Sequence, residues 1–134
     1  MNFTVNQSSW FMEVWLSPAL GFDYANAEAR IYGPGTSPIN RDVAEICTVS
    51  RRHAAAERKT IEFGGPEALT PHEVVGRFET IGGTRFRVKS FAALMLGYWH
   101  GDAMEMTRVV ETFGIKLSTV DDYARGVLGK TASA

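Results

Sequence analysis

The sequence predicts an α/β fold with a helical C-terminal segment. Three observations carry that reading. Short runs with strand alternation, such as Lys59-Thr60-Ile61-Glu62-Phe63, are interleaved with stretches of helical periodicity over two thirds of the chain. Glycine-rich turns punctuate these runs at Gly33-Pro34-Gly35, Gly64-Gly65-Pro66 and Gly82-Gly83. From Ser90 onward the pattern is helical alone. That order of elements favours an α/β piece followed by helices.

Phe3-Thr4-Val5 is a β-prone start. In the dense apolar stretch Trp10 to Leu20, Phe11, Val14 and Trp15 fall on one helical face, and Pro18 and Gly21 end that helix. Ala29-Arg30-Ile31-Tyr32 reads as a strand closed by the turn at Gly33, and Pro38-Ile39 as a second extended piece. Asn40 or Arg41-Asp42 then opens a helix whose apolar side holds Val43, Ala44, Ile46, Cys47 and Val49. Asp42 in its first turn suits the positive end of the helix.

The clearest local signal follows the Lys59–Phe63 strand. Thr70 caps a helix, Pro71 takes its first position, and Glu73 closes a capping box. Leu69 and Val74 stand where a hydrophobic staple sits, and Val74, Val75, Phe78 and Ile81 form the buried stripe. Arg85-Phe86-Arg87-Val88 is a further strand. Helices are then expected around Phe91, Leu94, Met95 and Tyr98, and from Asp102 to Phe113 with Ala103, Met106, Val110 and Phe113 inward. The last starts at a Ser118 cap with Asp121 as its partner and buries Tyr123, Ala124, Val127 and Leu128. Lys130 to Ala134 is expected to fray.

The 134 residues make one domain, 45% hydrophobic and 22% charged, as in ordinary globular proteins. A net charge of −1 argues against nucleic-acid binding. The small basic cluster of Arg51, Arg52, His53, Arg58 and Lys59 reads as a solvated helix end. Cys47 is the single cysteine, so neither an intrachain disulfide nor a multi-cysteine metal site is expected. Residues 1–20 do not read as a signal peptide, and no apolar run is long enough to span a bilayer. The expectation is a cytoplasmic protein without membrane contact.

No Gly-x-Gly-x-x-Gly run and no Gly-x-x-x-x-Gly-Lys-[Ser/Thr] run occurs among these residues. His53, His72 and His100 show no metal-ligand spacing. His100 and Asp102, set among Tyr98 and Trp99, are the catalytic candidates, since a histidine oriented by a carboxylate can serve as a base. The bland alternative is a helix junction with Asp102 as N-cap.

Three segments in order carry a resemblance. They are Phe3-Thr4-Val5 running into Trp10-Phe11-Met12-Glu13; Ala29-Arg30-Ile31-Tyr32-Gly33 followed by Arg41-Asp42-Val43-Ala44-Glu45; and Ile61-Glu62-Phe63-Gly64-Gly65-Pro66-Glu67-Ala68-Leu69-Thr70-Pro71-His72-Glu73-Val74. Together they resemble the C-terminal portion of NmrA-like proteins, an atypical branch of the short-chain dehydrogenase/reductases. Residues 3–89 would then be an α/β lobe on the substrate side of a Rossmann-like sheet, and residues 90–129 a helical segment.

The resemblance implies NAD(P) as cofactor in intact members, which are reductases or non-catalytic redox sensors. It implies that Ser8, Ser9, Trp10 and Phe11 pass near the cofactor, and that Phe11, Met12 and Trp15 border a substrate pocket. The sequence departs from the family in reading Gln7-Ser8 where a pair such as Arg-Pro is usual, and in shortening the stretch from Pro38 to Asp42. No Tyr-x-x-x-Lys pair is present either: Tyr24, Tyr32, Tyr98 and Tyr123 are followed at that spacing by Glu28, Thr36, Asp102 and Val127. The chain therefore reads as a truncated or partial oxidoreductase relative, not competent alone. The alternatives are a stand-alone ligand-binding or interaction module acting as a homo-oligomer or with a protein partner, and a small cavity enzyme using His100 and Asp102.

Overall fold

The computed structural model describes residues 3–8, 11–40, 49–50, 52–91 and 103–131. Within them the strands are β1 (Thr4–Ser8), β2 (Phe22–Asp23), β3 (Glu28–Tyr32), β4 (Ile39–Asn40), β5 (Lys59–Phe63), β6 (Ala68–Leu69) and β7 (Arg87–Phe91). The helices are α1 (Met12–Trp15), α2 (Pro71–Gly82), α3 (Thr107–Phe113) and α4 (Val120–Thr131), with 3-10 turns at Pro18–Leu20 and Ala54–Ala56. β1 pairs with β5 in parallel, Thr4 opposite Lys59 through Ser8 opposite Phe63. β3 lies between antiparallel β2 and parallel β7, and β4 pairs with β6 antiparallel. Parallel pairs separated by long crossovers, with helices following, make the molecule α/β, as the order of sequence signals predicts.

α2 is the element the largest core is built on. The Thr70 hydroxyl accepts from the Glu73 N–H at 3.2 Å, while the Glu73 carboxylate accepts from the Thr70 N–H at 2.8 Å. Leu69 and Val74 are both buried in the same cluster, as a staple requires. At the other end Gly83 takes φ +66° and donates to the Glu79 carbonyl. The helix thus presents Val74, Val75 and Phe78 inward along its whole length, with Ile81 half-buried beside them. Phe78 is fully buried; Phe22 meets it edge-on at 4.8 Å and Phe86 at 6.1 Å. Ala29 and Ile31 of β3, Met12 and Leu16, and Val120 and Ala124 of α4 complete the cluster. A second cluster joins Ala56 and Ile61 and Phe63 of β5 to Met106, Ile115 and Leu117.

Several elements depart from the sequence expectation, each for a local reason. α1 is a single turn and buries Met12 and Leu16, leaving Phe11 and Val14 exposed, so the expected face of Phe11, Val14 and Trp15 is rotated. An apolar run this dense offers more than one i, i+4 pair, and the core takes Met12 with Leu16. β7 starts two residues later than expected and includes Ser90 and Phe91, which periodicity assigns to a helix. Phe86 is drawn into the aromatic cluster with its N–H on the Glu79 carboxylate at 2.8 Å, and Arg87 instead begins the strand, bonded to Glu28 at 2.7 Å.

α3 begins at Thr107 rather than at Asp102, because Met106 is pinned under β5, its sulfur accepting the Gly64 N–H; Ala103 is exposed. The α4 cap is displaced by one residue to Thr119 and Asp122, which repeat the capping box at the same spacing. That shift leaves Asp121 to pair with Arg77 on α2 at 3.2 Å. Asn40 ends β4 instead of opening a helix, and α4 runs on to Thr131. Arg52, His53, Arg58 and Lys59 are exposed, as a solvated cluster should be. Asp42, Cys47, Arg51, Leu94, Met95, Tyr98 and Trp99 lie outside the described residues.

The two capping boxes make stability pH-dependent on the acid side. Hydrogen bonds from the Thr70 N–H and hydroxyl hold the Glu73 carboxyl below its ordinary range, and the Thr119 hydroxyl and N–H do the same for Asp122. The unfolded chain therefore binds these protons at higher pH than the folded one. The contribution is full above the ordinary carboxylate range and is lost as pH falls through the depressed values. Urea titrations across that range should show stability declining toward acid, with a shallower decline in Glu73→Gln. Thr70→Ala should cost about 1 kcal/mol at neutral pH.

Candidate functional site

The residues that border a cavity come from α1, β3 and the start of α2. In β3 the alternation turns Ala29 and Ile31 into the core and leaves Arg30 exposed and Tyr32 half-buried. Trp15, at the end of α1, closes the cavity from one side, and Pro71, Val74 and Val75 of α2 from the other, with Arg30 and Tyr32 between them. The space they border is partly open to solvent and about 30 Å³ in volume. That is room for one or two waters, so a flat ring or a sugar enters only if Trp15 or its neighbours move aside. An aromatic pair beside an arginine is suited to a planar or anionic group, by stacking and by charge-assisted hydrogen bonding.

Of the residues expected at a pocket, Trp15 alone lines this cavity among the described ones. Met12 is 2% exposed and packs into the core, outside the lining of this cavity. Phe11 is 44% exposed and stands ahead of α1 as its N-cap, away from the cavity lining. Ser8 is exposed at the carboxyl end of β1, opposite Phe63. Ser9, Trp10, His100 and Asp102 lie outside the described residues. Arg30, Tyr32 and Val75 were legible only as strand and stripe residues. Nothing in periodicity distinguishes a residue facing a cavity from one facing its neighbours.

The turn after β3 is locked against α2. Gly33 and Gly35 take φ +77° and +68°, and His72 in the first turn of α2 shares a hydrogen bond with the Pro34 carbonyl at 3.2 Å. A Cβ at Gly35 would stand 2.7 Å from both the His72 Nε2 and the Ile31 Cγ2. This contact holds Tyr32 and Pro71 at their places on the cavity wall.

A second crevice of about 120 Å³ lies on the other side of Arg30, bordered by Asp23, Glu28 and Lys89. Its charges are engaged locally. Glu28 pairs with Arg87 and Lys89, and the Asn26 side chain and N–H hold the Asp23 carboxyl below its usual range. Tyr123, whose phenol is pushed up by burial with Tyr24 and Glu13 adding, stays protonated at neutral pH and belongs to the α2–α4 core.

The two longer helices are poor phosphate sites. At both α2 and α4 a carboxylate, Glu73 or Asp122, is folded back over the first turn, where a phosphate would need free N–H groups and positive potential. Pro71 removes one more donor. Among the described residues no group of three His, Cys, Asp or Glu side chains could hold a metal ion, and no helix is long and apolar enough to cross a membrane.

No protein-family model matches the sequence, and no curated protein matches it. Among solved structures, the chain is similar to a UDP-glucuronic acid 4-epimerase from Bacillus cereus in complex with NAD, with a TM-score of 0.53 at 13% identity. The likeness is one of fold. It covers 79% of this chain and 33% of the epimerase, so the chain spans about a third of that protein's length. The chain is thereby a partial Rossmann-like α/β fold.

The lock between the β3 turn and α2 can be tested directly. Gly35→Ala places a side chain in the left-handed region and against the buried Ile31, so it should destabilise the protein by roughly 1–3 kcal/mol in a urea titration.

Proposed function

We propose that this chain is the substrate-side lobe of an NmrA-like, NAD(P)-binding reductase-type protein, and that it does not turn over a substrate or hold the dinucleotide by itself. The observation that carries the reading is the partial Rossmann-like fold, shared with an NAD-bound epimerase, combined with helix starts closed by their own carboxylates. The sequence agrees with it: the ordered segments resemble the C-terminal portion of that family, while neither the glycine loop nor a Tyr-x-x-x-Lys pair is present. In this reading Trp15, with Arg30 and Tyr32, forms part of a pocket wall. In this reading the starts of α2 and α4, closed by Glu73 and Asp122, do not serve the dinucleotide pyrophosphate. Titrating NADPH against the purified chain, followed by nicotinamide fluorescence, should give no saturable signal at micromolar concentration. Micromolar binding would overturn the claim.

A second reading, a stand-alone interaction module, is favoured by the exposed apolar residues crowded near the start of the chain. Phe3, Val5, Phe11 and Val14 are all between 44% and 54% exposed. Where such residues join into one patch, they mark an association site. Light scattering at high concentration should then report a mass above that of the monomer, and a clean monomer would remove this reading.

A further inference from the structure

The parallel pair β1–β5 is buried on one face, and there at β5, while Asn6 and Ser8 of β1 on that side are exposed. Ile61 and Phe63 are buried in the second core cluster, and Thr4 on the same side donates its hydroxyl to the Ala56 carbonyl. On the opposite face Val5 and Gln7, with their register partners Thr60 and Glu62, are all exposed. Parallel strands ordinarily occur with both faces covered, and a two-stranded pair alone is marginal.

Both strands also have an open edge among the described residues, but the two edges differ in chemistry. β5 carries Lys59 and Glu62 directly after Arg58, and such charges keep an edge from pairing with itself. β1 reads Thr-Val-Asn-Gln-Ser, without a charge and without proline. It is therefore the undefended edge.

We infer that β1 docks a second copy of this chain, the two β1 strands running antiparallel about a two-fold axis at Asn6. The product is a four-stranded sheet in the order β5, β1, β1, β5. A two-fold axis perpendicular to the sheet makes identical strands antiparallel, and every edge donor then finds an acceptor on the other copy.

The charges support this occupant. With Asn6 on the axis, Val5 stands opposite Gln7 of the second copy. Each row across the uncovered face then runs Glu62, Gln7, Val5, Thr60, the last two from the second copy. One carboxylate closes each row, and the two copies of Glu62 fall at opposite ends of different rows. The Lys59 residues are separated in the same way on the other face. At the axis each Asn6 amide, oriented by Ser50 at 3.0 Å, still has a donor and an acceptor for its counterpart. The proposal rests on the interaction-module reading and adds the strand, the register and the partner.

The test uses Val5→Lys and Val5→Glu, whose side chains project from an exposed position and leave the cores intact. Circular dichroism melting first confirms that each variant folds. Light scattering should then show a dimer for the wild type, a mass halved in each variant, and recovery of the dimer when the two variants are mixed, since the position 5 side chains lie diagonally across the axis. A wild-type monomer would overturn both this proposal and the module reading, leaving the edge to a strand of a different protein. A dimer that persists in both variants would overturn the strand docking alone. Loss without recovery in the mixture would overturn the two-fold register.

Discussion

The seating of α2 in the first core cluster is the constraint on which the rest of this structure depends. Thr70, Glu73 and the staple of Leu69 with Val74 define where the helix starts, and that start sets which residues point inward. One residue of slippage would turn Phe78 about 100° away from Phe22 and Phe86. The cap is solvent-exposed and contributes modestly. Its importance is that it decides the phase in which the fully buried Phe78 is presented, and burying a phenylalanine is worth ~1.5–3 kcal/mol.

From that helix the site follows. Because Pro71 begins α2 against the β3 turn, His72 reaches the Pro34 carbonyl and Val74 and Val75 face Trp15. Arg77, one turn further on, ties α2 to both Glu67 and Asp121. These are half-exposed pairs of modest strength. They nevertheless connect the loop before β6, α2 and α4 through one guanidinium. The cavity wall is thus assembled by the same contacts that assemble the core. It is small because Ile31, Val74 and Val75, which line it, belong to that core.

The sequence revealed most where two independent signals coincided. At Thr70 the cap, the proline, the glutamate and the staple all named the same residue, and the helix is where they placed it. At Ser118 and Thr119 two identical cap spacings overlapped, and only tertiary contact chose between them, by burying Val120 and giving Asp121 to Arg77. In the stretch from Phe11 to Leu16 nearly every residue is apolar, so periodicity held no information about the face. Met12, expected at a pocket, packs into the core cluster. The cavity residues Arg30 and Tyr32 were hidden for another reason. A strand alternation separates inside from outside, and says nothing about which outside positions meet a neighbouring helix.

The starts of the two longer helices are already occupied. An anion site at a helix N-terminus requires unsatisfied N–H groups, and a carboxylate from the same chain is the strongest competitor for them, since it is always present at high effective concentration. Glu73 and Asp122 are such competitors, and the hydrogen bonds from Thr70 and Thr119 hold their carboxyls below the ordinary range. A phosphate arriving at α2 or α4 would have to displace a charge-assisted hydrogen bond and meet a negative charge. At the cavity an indole, a phenol and a guanidinium stand together, a set suited to stacking on and orienting a planar or anionic group.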